Sequence, residues 1–227
     1  MTKDIHSAPG TSRQMTLFIA LTQGTLVTWS IGSALLAAGP ASAAIITYVL
    51  YAIYVAHALI VRNPLMIRLL IFATVAGILE LPTDDFLVTG IDSLVYPTNE
   101  PMIWSSPLYM PLAWANVLIQ LGYYGLLLAR WKGLPIASIV LCIAGGMYIP
   151  LYEHLAADAN WWVYNNNTAM IFNAPVYVIV CEALISLSLP YLLHLAIEKN
   201  YKWTFGIGIV EGIWIFLSAL IAYQIAH

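Results

Sequence analysis

Charge is the scarcest property of this sequence. Lys, Arg, Asp and Glu supply 8% of its 227 residues, where a soluble domain averages about 25%. That shortage excludes a water-solvated globular chain. It also excludes nucleic-acid binding, since eight Lys and Arg against eleven Asp and Glu leave a formal charge of −3 and no basic patch. Cysteine is nearly absent. Cys142 and Cys181 both fall inside apolar runs, so a disulfide framework is excluded. The five histidines, His6, His57, His154, His194 and His227, never take the paired spacing of a zinc or di-iron site. No metal is therefore expected. There is no low-complexity segment, and no internal repeat of the kind on which many carriers are built.

What fills the chain instead is apolar. Hydrophobic residues make up 61% of it and the mean hydropathy is +0.83. This mass divides into seven runs of roughly 20 residues, each long enough to span a bilayer core. They are Met15–Ala38, Ala43–Val61, Leu65–Leu81, Pro107–Leu128, Leu134–His154, Asn173–Leu195 and Trp203–Ala226. Gly39-Pro40, Arg62-Asn63-Pro64, Arg130-Trp131-Lys132-Gly133 and Glu198-Lys199-Asn200 punctuate them. The third run has the composition to continue as helix past Pro82 toward Val88. The first is too long for a signal-peptide core and has no cleavage site, so it counts as a span. The expected fold is all-α: a seven-helix polytopic membrane domain over residues 15–227, preceded by a polar tail, 1–14.

Seven spans place alternate loops on opposite sides. On the N-terminal side fall Lys3, Arg13, Arg62, Arg68, Arg130, Lys132, Lys199 and Lys202, which is every Lys and Arg in the protein. The positive-inside rule makes that side cytoplasmic and puts the C-terminus outside or in a lumen. The expected location is the plasma membrane in a bacterium or the endoplasmic reticulum in a eukaryote. The long loops, Pro82–Ser106 and Leu155–Phe172, lie on the other side, where loops of this length usually carry function.

Acids within the spans are the functional candidates, because a carboxylate at membrane depth is costly unless it pairs or lines a cavity. Glu182 lies nine residues in from Asn173, roughly 13 Å deep. Glu80 and Glu153 fall near the same ends of their spans. Glu80-x-x-x-Asp84 places two carboxyl groups one helical turn apart, able to share a proton; alternatively Asp84 and Asp85 simply begin a solvated loop. Glu153-His154 with Asp158 reads as an acid–base cluster, or as interfacial solvation. Asn116 and Gln120, at i and i+4, share one face and could hydrogen-bond Glu182. Glu211, on the seventh span, could be helix–helix glue. Trp114, Tyr152, Trp161, Trp162 and Tyr177 crowd these acids. Aromatic belts are ordinary at membrane interfaces, yet aromatic faces also stabilise cations. A cavity opening away from the cytoplasm, with Glu182 near its floor, accounts for the arrangement.

Three phrases taken together resemble a known group. Pro107-Leu-Tyr-Met-Pro-Leu-Ala-Trp114, Pro150-Leu-Tyr-Glu-His-Leu-Ala-Ala-Asp-Ala-Asn-Trp-Trp-Val-Tyr164 and Asn173-Ala-Pro-Val-Tyr177 are similar, in order and spacing, to membrane-embedded carotenoid-biosynthesis proteins that include bacterial carotenoid hydratases. The seven-span size with intramembrane acids also resembles integral membrane terpene cyclases. The resemblance covers roughly residues 78–184. It implies a lipophilic isoprenoid substrate within the bilayer and a carboxylic acid that protonates an alkene or epoxide. Water addition or ring closure would follow, without a cofactor. Glu80, Asp84, Glu153, Glu182 and His154 are then the acid–base candidates. Trp114, Gln120, Tyr152, Trp161, Trp162, Asn173 and Tyr177 would contact substrate. The rival expectation is a proton-coupled carrier or seven-helix receptor. A retinal-binding receptor is disfavoured, because the seventh span has no lysine for a Schiff base.

Overall fold

The computed structural model describes residues 12–166 and 168–226. Most of the expected N-terminal tail, residues 1–11, lies outside them. Among the described residues, seven helices are long and apolar enough to cross a membrane, and the protein is an all-α, polytopic seven-helix membrane protein. The spans are α1 (Arg13–Leu36), α2 (Pro40–Val61), α3 (Pro64–Leu79) extended by α4 (Leu81–Asp85), α5 (Met110–Lys132), α6 (Leu134–Asp158), α7 (Val176–Glu198) and α8 (Tyr201–Ala226).

Local chemistry fixes the ends. Ser12 caps α1 by accepting from the Met15 amide, and Asn63 caps α3 by accepting from those of Leu65 and Met66. Such caps satisfy amides that have no partner within the helix. Gly133, at φ +85, turns α5 into α6 in a conformation that costs glycine little. Arg68 ties three elements together at this end. It donates to the carbonyls of Ala196 and Lys199 and to Thr204 Oγ1, and it lies over the Tyr201 ring. The described Lys and Arg residues all sit at this one end of the bundle, as the charge pattern requires.

One expected continuation is present, and several boundaries shift from the sequence expectation. The third span does run past Pro82, through α4 and then a π-helical turn, Phe86–Gly90. Proline is tolerated there because it occupies the first turn of α4, where its missing N–H is not needed. The fourth span begins at Met110, not Pro107, because β3 (Ser106–Pro107) pairs with β2 (Met102–Ile103). The sixth begins at Val176, not Asn173, because β6 (Ala174–Pro175) pairs with β5 (Met170–Ile171). The fifth span also runs to Asp158, beyond His154, with Pro150 inside it.

The third span is the centre of the bundle, packed on α5 and α8. Its contacts depend on missing side chains. A Cβ on Gly77 would lie 2.2 Å from the Pro111 carbonyl oxygen, and one on Gly212 would lie 2.4 Å from Leu79 Cβ. Close backbone approach through small residues is how helices pack where lipid supplies no hydrophobic drive. At the opposite end from the cations, the two long loops meet. β1 (Leu94–Val95) pairs antiparallel with β4 (Val163–Tyr164), Leu94 opposite Tyr164 and Val95 opposite Val163. This small sheet roofs the bundle.

Candidate functional site

Beneath that roof lies a cavity of about 110 Å³. Its wall includes Glu80, Thr83 and Asp84 from the third span, Trp114 from α5, and Tyr148, Tyr152 and Glu153 from α6. Tyr177, Cys181 and Glu182 come from α7, and Tyr96, Trp162 and Tyr164 from the roof. Four carboxyl groups from three spans therefore face one space. The wall contains no Lys, Arg or His among the described residues.

The depths follow from the helix ends. The third span continues ten residues beyond Glu80 to Gly90, which sets Glu80 about 15 Å into the bundle at the helical rise. Glu182 lies six residues beyond Val176, about 9 Å in. Each count runs from its own helix end; in burial the two acids differ, Glu80 being the more enclosed. Glu80 is fully buried. It sits beside the Asp84 carboxyl and the Trp114 indole, yet neither of its oxygens has a hydrogen bond of good geometry among the described residues. Glu182 is only partly buried because it borders the open space.

Two acids are held by the roof. Tyr96 Oη donates to Asp84 Oδ2 at 2.7 Å, and Trp162 Nε1 donates to Glu153 Oε2 at 2.5 Å. A third tie joins roof to span, Tyr177 Oη donating to Ser93 Oγ at 2.6 Å. Burial first, and then the Asp84 and Glu80 carboxylates, push the Tyr96 phenol well above its ordinary range. Burial and the Glu153 carboxylate do the same at Tyr164. Both phenols stay protonated and remain donors. The aromatic rings form a continuous wall: Tyr148 stacks on Tyr152 at 5.6 Å, Tyr152 meets Trp162 at 6.1 Å, and Trp162 meets Tyr96 at 6.4 Å.

Of the residues singled out in the sequence, Glu80, Asp84, Glu153, Glu182, Trp114, Tyr152, Trp162 and Tyr177 come together here. Six others are placed elsewhere. His154 is half exposed on the outer face of α6, 3.6 Å from Asp158, with Nδ1 3.1 Å from Asn173 Nδ2. One residue after Glu153, it points about 100° away around the helix. Asn173 sits in the β5–β6 turn as the partner of His154 rather than in the cavity wall. Trp161 is buried behind the wall, packed on Tyr152 and Trp162. Gln120 donates to Tyr54 Oη at 2.8 Å and Asn116 donates to the Thr47 carbonyl at 3.0 Å, so this pair faces α2 instead of Glu182. Glu211 is fully buried outside the cavity wall, with Glu182 as its electrostatic neighbour.

Tyr96, Tyr148, Tyr164 and Thr83 complete the wall without having been chosen as site residues. A signal existed for two of them. Leu94-Val-Tyr96 and Trp162-Val-Tyr164 both alternate large inward residues around an exposed valine, the period of a half-buried strand.

A family model described as a domain of unknown function, DUF6989, matches residues 81–226. This region holds Asp84, Glu153, Glu182 and the roof. No curated protein and no solved structure matches the chain.

Proposed function

The chain belongs to the DUF6989 family, and we propose that it is a membrane-embedded enzyme that modifies a lipophilic isoprenoid by acid–base catalysis. One observation carries this reading: Glu80, Asp84, Glu153 and Glu182 converge on a single aromatic-walled cavity that holds no cationic side chain among the described residues. Carboxyl groups gathered without a countercharge are not all ionised together. Such a cluster supplies both a proton donor and a proton acceptor, the two roles acid–base chemistry needs.

The pair Glu80–Asp84 suits the donor role, because two adjacent carboxyl groups share a proton. The donated proton forms a C–H bond with the electrons of a substrate alkene and leaves a carbocation on the neighbouring carbon. The faces of Tyr152, Trp114 and Trp162 stabilise that cation. Water, or a second alkene of the same molecule, then adds to it. A carboxylate takes the proton released; Glu153, already accepting from Trp162, suits this role. Electrons balance without a redox partner. The resemblance to carotenoid hydratases and membrane terpene cyclases supports the isoprenoid class. Cavity size supports a reaction at one end of the chain: a cavity near 150 Å³ holds a benzene-sized molecule, and this one is about 110 Å³.

The test compares lipid extracts from membranes with and without the protein. A product heavier by one water indicates hydration, and an isomer with altered retention indicates cyclisation. Glu153→Gln and Glu182→Gln are each expected to lower turnover by about 10²–10⁴-fold while the protein still folds. Full activity in both variants sinks the reading. A proton-coupled carrier is the second reading, favoured by Glu211, which extends the line of acids beyond the cavity. Substrate-dependent proton uptake into vesicles, with no new lipid product, would select it.

A further inference from the structure

A second polar zone lies beside the cavity, under the β2–β3 hairpin. Thr83, Ser106 and Tyr109 are at most 3% exposed, and none of their hydroxyl groups makes a hydrogen bond of good geometry among the described residues, although that of Ser106 lies beside the Asp84 carboxyl. Glu100 Oε1 is buried there in the same condition, although the rest of Glu100 reaches the surface. Thr83 lines the cavity next to Asp84. The Ser106 hydroxyl faces Asp84 from β3, which packs on α4. Tyr109, at the head of α5, lies within electrostatic reach of Asp84 on one side and Glu100 on the other, with Tyr48 of α2 also near. Buried polar groups in native proteins are almost always paired, and where protein offers no partner, ordered water does. Four such groups call for a file of water.

We propose that Thr83, Ser106, Tyr109 and Glu100 line a water-filled side passage connecting the Glu80–Asp84 pair with solvent at the β2–β3 hairpin. Three of the four are hydroxyl groups, able to donate and accept at once, so the file can pass protons in either direction. It gives the buried pair a supply of protons while the Tyr96 and Trp162 bonds keep the roof closed. The use of that supply in a reaction rests on the acid–base reading above; the passage itself does not.

The experiment is infrared hydrogen–deuterium exchange on the full chain in lipid nanodiscs, without substrate. The carbonyl stretch of the protonated carboxyl is assigned by its loss in Glu80→Gln, and its shift is timed after transfer to D2O. The unmodified protein is expected to exchange as fast as the solvent is replaced. Tyr109→Phe and Ser106→Ala are each expected to slow exchange roughly tenfold, as one broken step in a relay would, with unchanged thermal unfolding. If Tyr109→Phe does not fold, Ser106→Ala decides alone. Variant exchange at the unmodified rate, or no exchange in the unmodified protein, overturns the proposal. Because no substrate is involved, that failure leaves the acid–base reading standing, and a failed lipid comparison leaves the passage standing.

Discussion

At Glu100 a single half-buried carboxyl makes the outer hairpin sensitive to pH. Burial raises it from the ordinary 4.5 to about 7. The folded state therefore binds this proton more tightly than the unfolded one. The stability it contributes is fully present below about pH 4.5 and is lost as pH rises through about 7. Hydrogen exchange of amides in residues 96–109, corrected for intrinsic rate, should accelerate between about pH 5 and about pH 8. Glu100→Gln should abolish that difference, and an unchanged difference would refute it. Individual acids were legible in the sequence because an intramembrane carboxyl is conspicuous wherever it stands. Their partners were not. Tyr96 reaches Asp84 from 12 residues away and Trp162 reaches Glu153 from nine, and only the roof brings these donors within range. Gln120 shows the converse: its face of α5 was readable, but not that the face turns to Tyr54.

At the scale of elements, the contact between the third span and α5 is set by one absent side chain. Gly77→Ala puts a Cβ against the Pro111 carbonyl, an atom that cannot rotate aside, so α3 and α5 must separate. Overpacking of this kind costs about 1–3 kcal/mol, and a lowered unfolding temperature in detergent would register it. Glu80 is one turn further along the same helix, so activity should fall as well. The roof offers the opposite manipulation. Val95 and Val163 stand opposite each other in the β1–β4 pair and both are exposed. Antiparallel partners lie about 4.5–5.5 Å apart at Cα, within the span of a disulfide. Val95→Cys with Val163→Cys is expected to lock the roof and block substrate entry, with activity restored by a reductant. Activity unaffected by oxidation would show that substrate arrives by another route. The alternation of Leu94-Val-Tyr96 and Trp162-Val-Tyr164 was legible, but their pairing into a roof was not, since it joins segments some 70 residues apart and strands of two residues do not fix a register. The spans were, because apolar length alone defines them.

For the whole molecule, the separation of charge is the governing feature. The described Lys and Arg mark one end, and the roof, the β2–β3 hairpin and the acids mark the other. By the positive-inside rule the roof is expected outside the cytoplasm. Single cysteines replacing exposed Trp131 and Trp104 should then react with an impermeant thiol reagent from opposite faces, Trp104→Cys from outside in intact cells. Labelling of Trp131→Cys instead would invert the assignment. The gathering of the described cations at one end was readable directly, because it depends only on the order of the spans. The depth of the acids was not: it depends on where each helix stops, and two of the helices start three residues later than their apolar runs.

The π turn at Phe86–Gly90, closed by the Ile91 amide on the Phe86 carbonyl at 3.0 Å, has a consequence of phase. A π turn holds one residue more than an α turn, and one residue rotates an α-helix by about 100°. The count of residues between Asp84 and Leu94 is thus a gear setting. It lets the Glu80–Asp84 edge face inward and still delivers Leu94 and Tyr96 to the roof with their large side chains turned down. Removing Val88 or Thr89 would keep every acid and every aromatic, yet rotate the helix exit at Ile91 by about 100° relative to the Glu80–Asp84 edge.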